Sequence, residues 1–251
     1  MADLTEDYRR RMNLAYEQGA NGIVIRTDWE SLDGHSAFLT PNRVNLYSGA
    51  MLSSDLGIDN KSIYLCYLER EGWFEEVVSQ EKKEMAASWF ESIVGKTWEA
   101  TSRMLFVQGC VFSDSSLMPV SYEHGFWLAE EKNSVKAWDA SKKDTLAPDR
   151  RHLETALEEK KESVRWIDHL LELVLKPQEG IREEKIKWLE ERIRIQKTYT
   201  GMYEVAVSAL LLTRYVVETK ENRESAYYKE KQVQWRETVD ALKLWEDRLR
   251  T

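Results

Sequence analysis

The sequence predicts a helix-dominated α+β fold, with a small mixed α+β domain over residues 1–147 and an antiparallel helical bundle or coiled coil over residues 148–251. Three observations lead to this prediction. Apolar residues recur at steps of three and four through the last hundred residues, which keeps them on one face of a helix. Prolines number only four among 251 residues. The first half contains short runs of branched and aromatic residues between turn signals, and such runs are typical of strands.

Two apolar lines in the C-terminal part predict a helical hairpin. The first line runs over residues 153–174 and has Lys160 as its only polar member. The second line runs over residues 186–217. Pro177 and Gly180 lie between them, and proline cannot continue a helix while glycine tolerates the turn conformation. We therefore expect helices over residues 149–175 and 181–217 that pack against each other in opposite directions.

The chain after this hairpin admits two interpretations. Residues 219–225 are wholly polar but contain no helix breaker, and the apolar register resumes at residue 228. Either the chain turns near Asn222 and a third helix folds back, or one helix of roughly 100 Å, at about 1.5 Å per residue, runs from residue 181 to the end. Residues 202–217 are apolar on more than one face, which favours a three-helix bundle because that surface needs two neighbours. Asn222 or Ser225 would cap its third helix.

The first half mixes helix and strand signals. Helices are predicted from residue 5 to Gly19, over residues 74–94 and over residues 98–106. A hairpin with strands 126–130 and 135–138 is predicted around a polar turn. Further strands are predicted over residues 22–26, 36–39, 43–47, 62–68 and 120–122.

Charge and composition exclude several classes of protein. Residues 1–147 hold 23 acidic and 15 basic residues, whereas residues 148–251 hold 21 of each. The acidic part is expected to repel nucleic acid and anionic membranes. The longest apolar window, residues 205–212, is far shorter than a membrane span. Glycine-rich phosphate loops are absent, so no nucleotide cofactor is expected.

The two cysteines and four histidines predict neither a disulfide framework nor a metal site. Without disulfides, a reducing intracellular compartment is the simplest expectation. The acidic N-terminus also lacks the apolar core of a secretory signal.

His124 and Asp139 are the candidate catalytic pair. In the predicted hairpin, the histidine opens one strand and the aspartate closes its neighbour, so both would lie at one edge of the sheet. An aspartate in that position can orient an imidazole and stabilise its charged form. The local pattern resembles the His and Asp strands of the Ulp-type, ubiquitin-like-protein-specific cysteine peptidases, over about sixteen residues. That family places its nucleophilic cysteine after the aspartate, whereas Cys110 is the last cysteine of this chain and comes before His124.

Aromatic residues on the C-terminal helices are the candidate binding residues. Trp188, Ile195 and Met202 form a stripe with seven-residue spacing, and Trp235 and Trp245 lie on the predicted third helix. A partly exposed stripe of this kind would be an interaction surface, because aromatic residues are favoured as interface anchors. The alternative is that the stripe packs inside the protein.

The leading functional expectation is a non-enzymatic protein that uses its helical half to bind a partner protein or another copy of itself. The alternative is an unorthodox or degenerate cysteine peptidase that uses His124 and Asp139 with Cys110. A third class, a nucleic-acid binder, would need a basic groove, for instance around Arg192 and Lys197, and we expect no such binding.

Overall fold

The computed structural model describes residues 1–24, 40–112, 118–132, 139–140 and 144–250, and for residues 246–250 it describes the backbone alone. The described part is dominated by helices, as predicted. The helices are α1 (Thr5–Glu17), α2 (Arg43–Ser54), α3 (Asn60–Arg70), α4 (Gln80–Ile93), α5 (Thr97–Leu105), α6 (Tyr122–Trp127), α7 (Arg150–Val174), α8 (Glu183–Glu218) and α9 (Ala226–Arg250). A 3-10 turn, Val94–Lys96, follows α4, and a π-helical turn, Leu128–Lys132, follows α6. Strands β1 (Phe106–Val107) and β2 (Cys110–Val111) pair in antiparallel register.

The C-terminal part contains separate helices joined by turns. Helices α7 and α8 match the predicted hairpin helices closely, and the polar segment at residues 219–225 ends α8. The single-long-helix interpretation is therefore wrong. Ser225 caps α9, because its Oγ accepts a hydrogen bond from the backbone N–H of Tyr228 at 3.1 Å. Among the residues that the structure describes, every helix is too short or too polar to cross a lipid bilayer.

The contacts divide the chain into two compact units. Unit 1 contains residues 1–98 and 168–196, and unit 2 contains residues 99–167 and 197–251. Helices α7 and α8 contribute residues to both. The domain boundary after residue 147 stays a prediction.

Unit 1 contains two helices where the sequence predicted strands. Residues 62–68 belong to α3, and residues 43–47 belong to α2, so both strand predictions are wrong. In α3, Ile63, Tyr64, Tyr67 and Leu68 are buried, which is the spacing of one helix face. Asp59 fixes the start of this helix by accepting a hydrogen bond from the N–H of Ser62 at 2.8 Å.

The inner face of α2 carries polar residues, which hid its helical period. Asn45 is 6% exposed and Ser48 is fully buried. Asn45 accepts a hydrogen bond from the N–H of Leu4 at 2.7 Å, and Ser48 bonds to the hydroxyl of Thr5 at 2.6 Å. Buried polar groups need such partners. The N-terminal segment therefore packs on α2 through hydrogen bonds that no apolar pattern indicates.

Unit 2 is organised around one apolar cluster. Its buried members are Met104, Val107, Cys110, Phe112, Phe126, Ala129, Leu146, Leu153, Ala156, Leu157, Tyr203, Val207, Leu211, Leu212, Tyr215 and Tyr228. They come from α5, the β-hairpin, α6 and its π-helical turn, and the three C-terminal helices. The cluster includes Leu153 and Leu157 from the apolar line predicted for α7, and Tyr203 and Val207 from the line predicted for α8.

Hydrogen bonds fix the directions of the three C-terminal helices within unit 2. The start of α7 meets the end of α8, because the N–H of Arg150 donates to Glu221 at 2.7 Å. Helix α9 returns along α8: Tyr228 donates to the carbonyl of Val216 at 3.0 Å, and the indole of Trp235 donates to Thr213 at 2.9 Å. This arrangement supports the helical-bundle prediction.

The predicted hairpin at residues 126–138 is wrong in its first strand. Residues 126–130 lie in α6 and the π-helical turn, while residues 135–138 lie outside the described residues. Ser121 caps the start of α6 by accepting a hydrogen bond from the N–H of His124 at 3.1 Å. The predicted strand at residues 120–122 is wrong, because Tyr122 begins this helix. A two-residue hairpin occurs instead at Gln108 and Gly109, whose φ angles of 51° and 89° suit a tight turn between β1 and β2.

The remaining strand predictions are not shown. Residues 22–24 are neither helix nor strand, and residues 25–26 and 36–39 lie outside the described residues. For those undescribed parts, the α+β character of residues 1–147 stays a prediction. On α8, the predicted apolar line ends early, since Val217 is 61% exposed and Tyr215 is buried in its place.

Candidate functional site

Trp188 lies on the first part of α8, beside a segment that a short pairing holds in place. Phe74 and Ile181 form an isolated antiparallel bridge. The N–H of Arg182 donates to the carbonyl of Trp73 at 2.8 Å, and its Nε donates to the carbonyl of Phe74 at 2.6 Å. Arg182 immediately precedes α8, and Trp188 lies in the second turn of that helix. The pairing therefore brings the indole of Trp188 next to that of Trp73.

The two indoles line a pocket in unit 1. The rings of Trp73 and Trp188 meet edge to face, with centroids 6.0 Å apart and an angle of 87° between their planes. Trp73 is 2% exposed and Tyr67 is 4% exposed, so they lie deep, whereas Trp188 is half-buried. The pocket has a volume of about 350 Å³. Its lining residues are Thr40, Arg43, Tyr67, Glu71, Trp73, Glu184, Lys185 and Trp188. We call it the Trp188 pocket.

Charged groups surround the aromatic rings of the Trp188 pocket. Arg43 and Glu71 form an ion pair with 3.0 Å between Nη1 and Oε2. The ammonium group of Lys185 lies 5.9 Å from the centre of the Trp73 ring, a cation–π distance. Burial, followed by the nearby Glu71 carboxylate, raises the pKa of Tyr67 to about 12. Tyr67 is therefore neutral at physiological pH.

This arrangement suits binding of an apolar group. Trp188 exposes part of its ring at the pocket, and a few polar groups at the edge can fix orientation. Aromatic rings also make favourable edge-to-face contacts with another aromatic ring. The volume lies at the lower end of the range for ligand pockets, roughly 300–1,000 Å³. A single large side chain from another molecule is the kind of group that such a pocket can enclose.

The other predicted binding residues do not join Trp188 in one exposed stripe. Ile195, in unit 1, is 42% exposed, but Met202, in unit 2, is only 8% exposed. Trp235 is half-buried, bonded to α8 and packed against the apolar cluster of unit 2. Trp245 is also half-buried and lies against Gly201, where an added Cβ would be 3.6 Å from its ring. Of the five residues, Trp188 lines the pocket described above.

The predicted catalytic residues lie in three different settings of unit 2. His124 is on α6, where its Nδ1 accepts a hydrogen bond from the N–H of Val120 at 3.2 Å and its ring stacks on Trp127. Asp139 is exposed, and Cys110 is 5% exposed on β2 within the apolar cluster. The hairpin that would have aligned His124 with Asp139 is not formed at residues 126–130. The pairing of His124 with Asp139 stays a prediction, and the strand at residues 126–130 on which it depended is a helix.

Lys160, the polar member of the predicted apolar line on α7, is fully buried. Its Nζ donates to three backbone carbonyls at the end of α5 and in β1, those of Arg103, Met104 and Phe106. Three donors on the ammonium group match three acceptors. Lys160 therefore caps the carbonyl end of α5, which a helix leaves without internal donors.

A polar cleft of about 640 Å³ lies on unit 2, near the carbonyls that Lys160 binds. Its charged groups already have partners within unit 2. Glu159 accepts hydrogen bonds from both the backbone N–H and the side-chain amide of Gln108, at 2.9 and 2.6 Å. Arg103 lies 3.5 Å from Glu162, and Arg165 lies 2.6 Å from Glu158. These contacts make the cleft part of the framework of unit 2.

The aromatic stripe on α8 predicts Trp188 as a binding residue, but no local pattern predicts the residues that surround it. Tyr67 lies in the predicted strand 62–68, and Arg43 lies in the predicted strand 43–47. Trp73 had no periodic context, since it follows Gly72 in a turn. Their meeting depends on long-range packing, so no local pattern could have indicated it.

No group of metal-ligating side chains occurs among the described residues. A scan against protein-family models finds no match, and searches of the curated proteins and of the solved structures find no significant match either.

Proposed function

We propose that this protein is a non-enzymatic interaction protein that binds a partner through the Trp188 pocket, to which its helical C-terminal half contributes Trp188. The observation that carries the proposal is the half-buried Trp188 at a pocket with Trp73 and Tyr67 deep inside. Tryptophan, tyrosine and arginine are the residues that most often dominate the free energy of protein–protein binding. All three residue types line this pocket.

Self-association through the same helices is a second form of the proposal, in which α8 and α9 would pair with those of another copy. Light scattering after size-exclusion chromatography distinguishes the two forms. If the mass at about 100 μM is that of one chain, the dissociation constant of any dimer is well above about 100 μM, and the self-association form is wrong. An intracellular setting remains part of the proposal, since Cys66 and Cys110 form no disulfide.

The experiment that tests the proposal is selection of binding peptides. A phage-displayed library of random 12-residue peptides, a length of about 40 Å when extended, is panned on the full chain after depletion on the Trp188→Ala variant. Peptides that survive are synthesised, and their affinities are measured by fluorescence anisotropy. We expect the Trp188→Ala variant to lose at least about tenfold in affinity, the usual loss for a dominant interface residue.

Two further variants make the result interpretable. Ile195→Ala is the matched control, because Ile195 is an exposed apolar residue of the same helix outside the pocket, and we expect a change below about twofold. Arg43→Ala tests the opposite side of the pocket without removing an aromatic ring, in case Trp188→Ala unfolds the chain. Equal affinity of all peptides for the wild type and for both pocket variants would contradict the proposal.

A further inference from the structure

We infer that the partner of the Trp188 pocket is a basic protein segment, which inserts one uncharged aromatic side chain and places lysine or arginine residues on either side of it. This inference rests on the proposed function and adds the chemistry of the partner. Three features of unit 1 lead to it: the cations inside the pocket, the carboxylates beside it, and the charge of the whole unit.

The mixed charges of the pocket favour an uncharged anchor. Arg43 and Lys185 line the pocket, and the ammonium group of Lys185 already lies over the Trp73 ring. A lysine or arginine that entered would meet like charges at close range. A carboxylate that entered would meet Glu71 and Glu184, which also line the pocket. An uncharged aromatic ring avoids both repulsions and gains edge-to-face contacts with Trp188.

Two exposed carboxylates flank Trp188 on the same face of α8. Glu184 lies one helical turn before Trp188 and Glu191 lies one turn after it. Their side chains are 67% and 63% exposed. Among the described residues, Arg182 forms a long ion pair with Glu184 at 3.9 Å, and Arg192 forms one with Glu191 at 4.0 Å. We call Glu184 and Glu191 the flanking carboxylates, and they are placed to pair with basic residues on both sides of an inserted anchor.

The charge of unit 1 favours a basic partner over a second copy of the chain. Unit 1 holds 23 acidic and 16 basic residues, whereas unit 2 holds 21 and 20. Two copies that met through the Trp188 pocket would bring two acidic units together, and like charge slows association. A basic segment would instead be attracted over long range, and salt would weaken that attraction.

The test uses the peptides selected on the full chain. We expect the peptides that depend on Trp188 to contain an aromatic residue with at least two lysines or arginines within about four positions, the reach of the flanking carboxylates along an extended chain. The variant Glu184→Gln/Glu191→Gln should bind them about two- to tenfold more weakly, the range for two exposed ion pairs. Their affinity should also fall as sodium chloride is raised.

A matched control separates local pairing from net charge. The variant Glu237→Gln/Asp240→Asn changes the net charge by the same amount on α9 of unit 2, and its affinity should stay within about twofold of the wild type. Peptides that need Trp188 but are acidic, or that bind Glu184→Gln/Glu191→Gln as well as the wild type, would overturn this inference and leave the proposed function standing. If no peptide needs Trp188 or Arg43, both are overturned.

Discussion

Replacing Lys160 by methionine is expected to destabilise the protein by about 2–3 kcal/mol, because the lysine caps α5 from inside unit 2. The Nζ of Lys160 donates to the carbonyl of Met104 at 2.9 Å and to that of Phe106 at 2.6 Å, and it also donates to the carbonyl of Arg103. Methionine retains an unbranched apolar side chain and removes every one of these donors.

The expected magnitude follows from what each carbonyl loses. The bond to Met104 is buried, so that carbonyl is left without a donor at a cost of about 1–3 kcal/mol. The bonds to Arg103 and Phe106 are only partly buried. Water from the polar cleft can replace them, at a cost of about 0.5–1 kcal/mol each. The variant also avoids burying an ammonium group, which offsets part of the loss.

Thermal unfolding followed by circular dichroism at pH 7 measures the effect. For a chain of this length, about 2–3 kcal/mol corresponds to a decrease in Tm of roughly 5–10 °C. The control is Lys161→Met, because Lys161 is the exposed neighbour on α7, and its Tm should change by no more than about 2 °C. A Lys160→Met protein as stable as the wild type would refute the reasoning, since it would mean that burying the ammonium costs as much as its three hydrogen bonds contribute.

Three further predictions follow from the same structure. Burial lowers the pKa of Lys160 from 10.5 to about 7, against the opposing effect of nearby carboxylates. Between these pH values the unfolded chain binds more protons than the folded chain. The free energy of unfolding of the wild type, relative to that of Lys160→Met, should therefore rise with pH in urea titrations. A difference that stays constant with pH would contradict this prediction. Burial raises the pKa of Tyr67 from 10.0 to about 12, so its contribution to stability should be lost as pH rises through this range, and Tyr67→Phe should unfold at a higher pH. Ser225→Ala should destabilise α9 by about 0.5–2 kcal/mol through loss of its cap, detected as faster hydrogen exchange at residues 226–229, and unchanged exchange there would contradict it.

The predicted helices differ from the predicted strands in how well they agree with the structure. The predicted ranges of α1, α7 and α8 agree with the structure within a few residues. Helices α7 and α8 bury apolar residues with helical spacing, whereas the buried residue of α1 is Thr5. The composition of the segments that form α2 and α3 predicts strands instead of helices. In α2 the inner face uses Asn45 and Ser48, whose partners lie near the N-terminus. In α3 a short run of branched and aromatic residues has the composition of a strand. The cap at Asp59 and the burial of one helical face favour the helix.

The sequence by itself determined the C-terminal helices, because a helical repeat is local and must be buried wherever it occurs. It also determined the acidic charge of the first half and the presence of a lysine in the apolar line of α7. Only the tertiary structure decided what that lysine does and which aromatic residue lines a pocket. The carbonyls that bind Lys160 and the rings around Trp188 come from distant parts of the chain, and contacts between distant segments leave no periodic signal in either one.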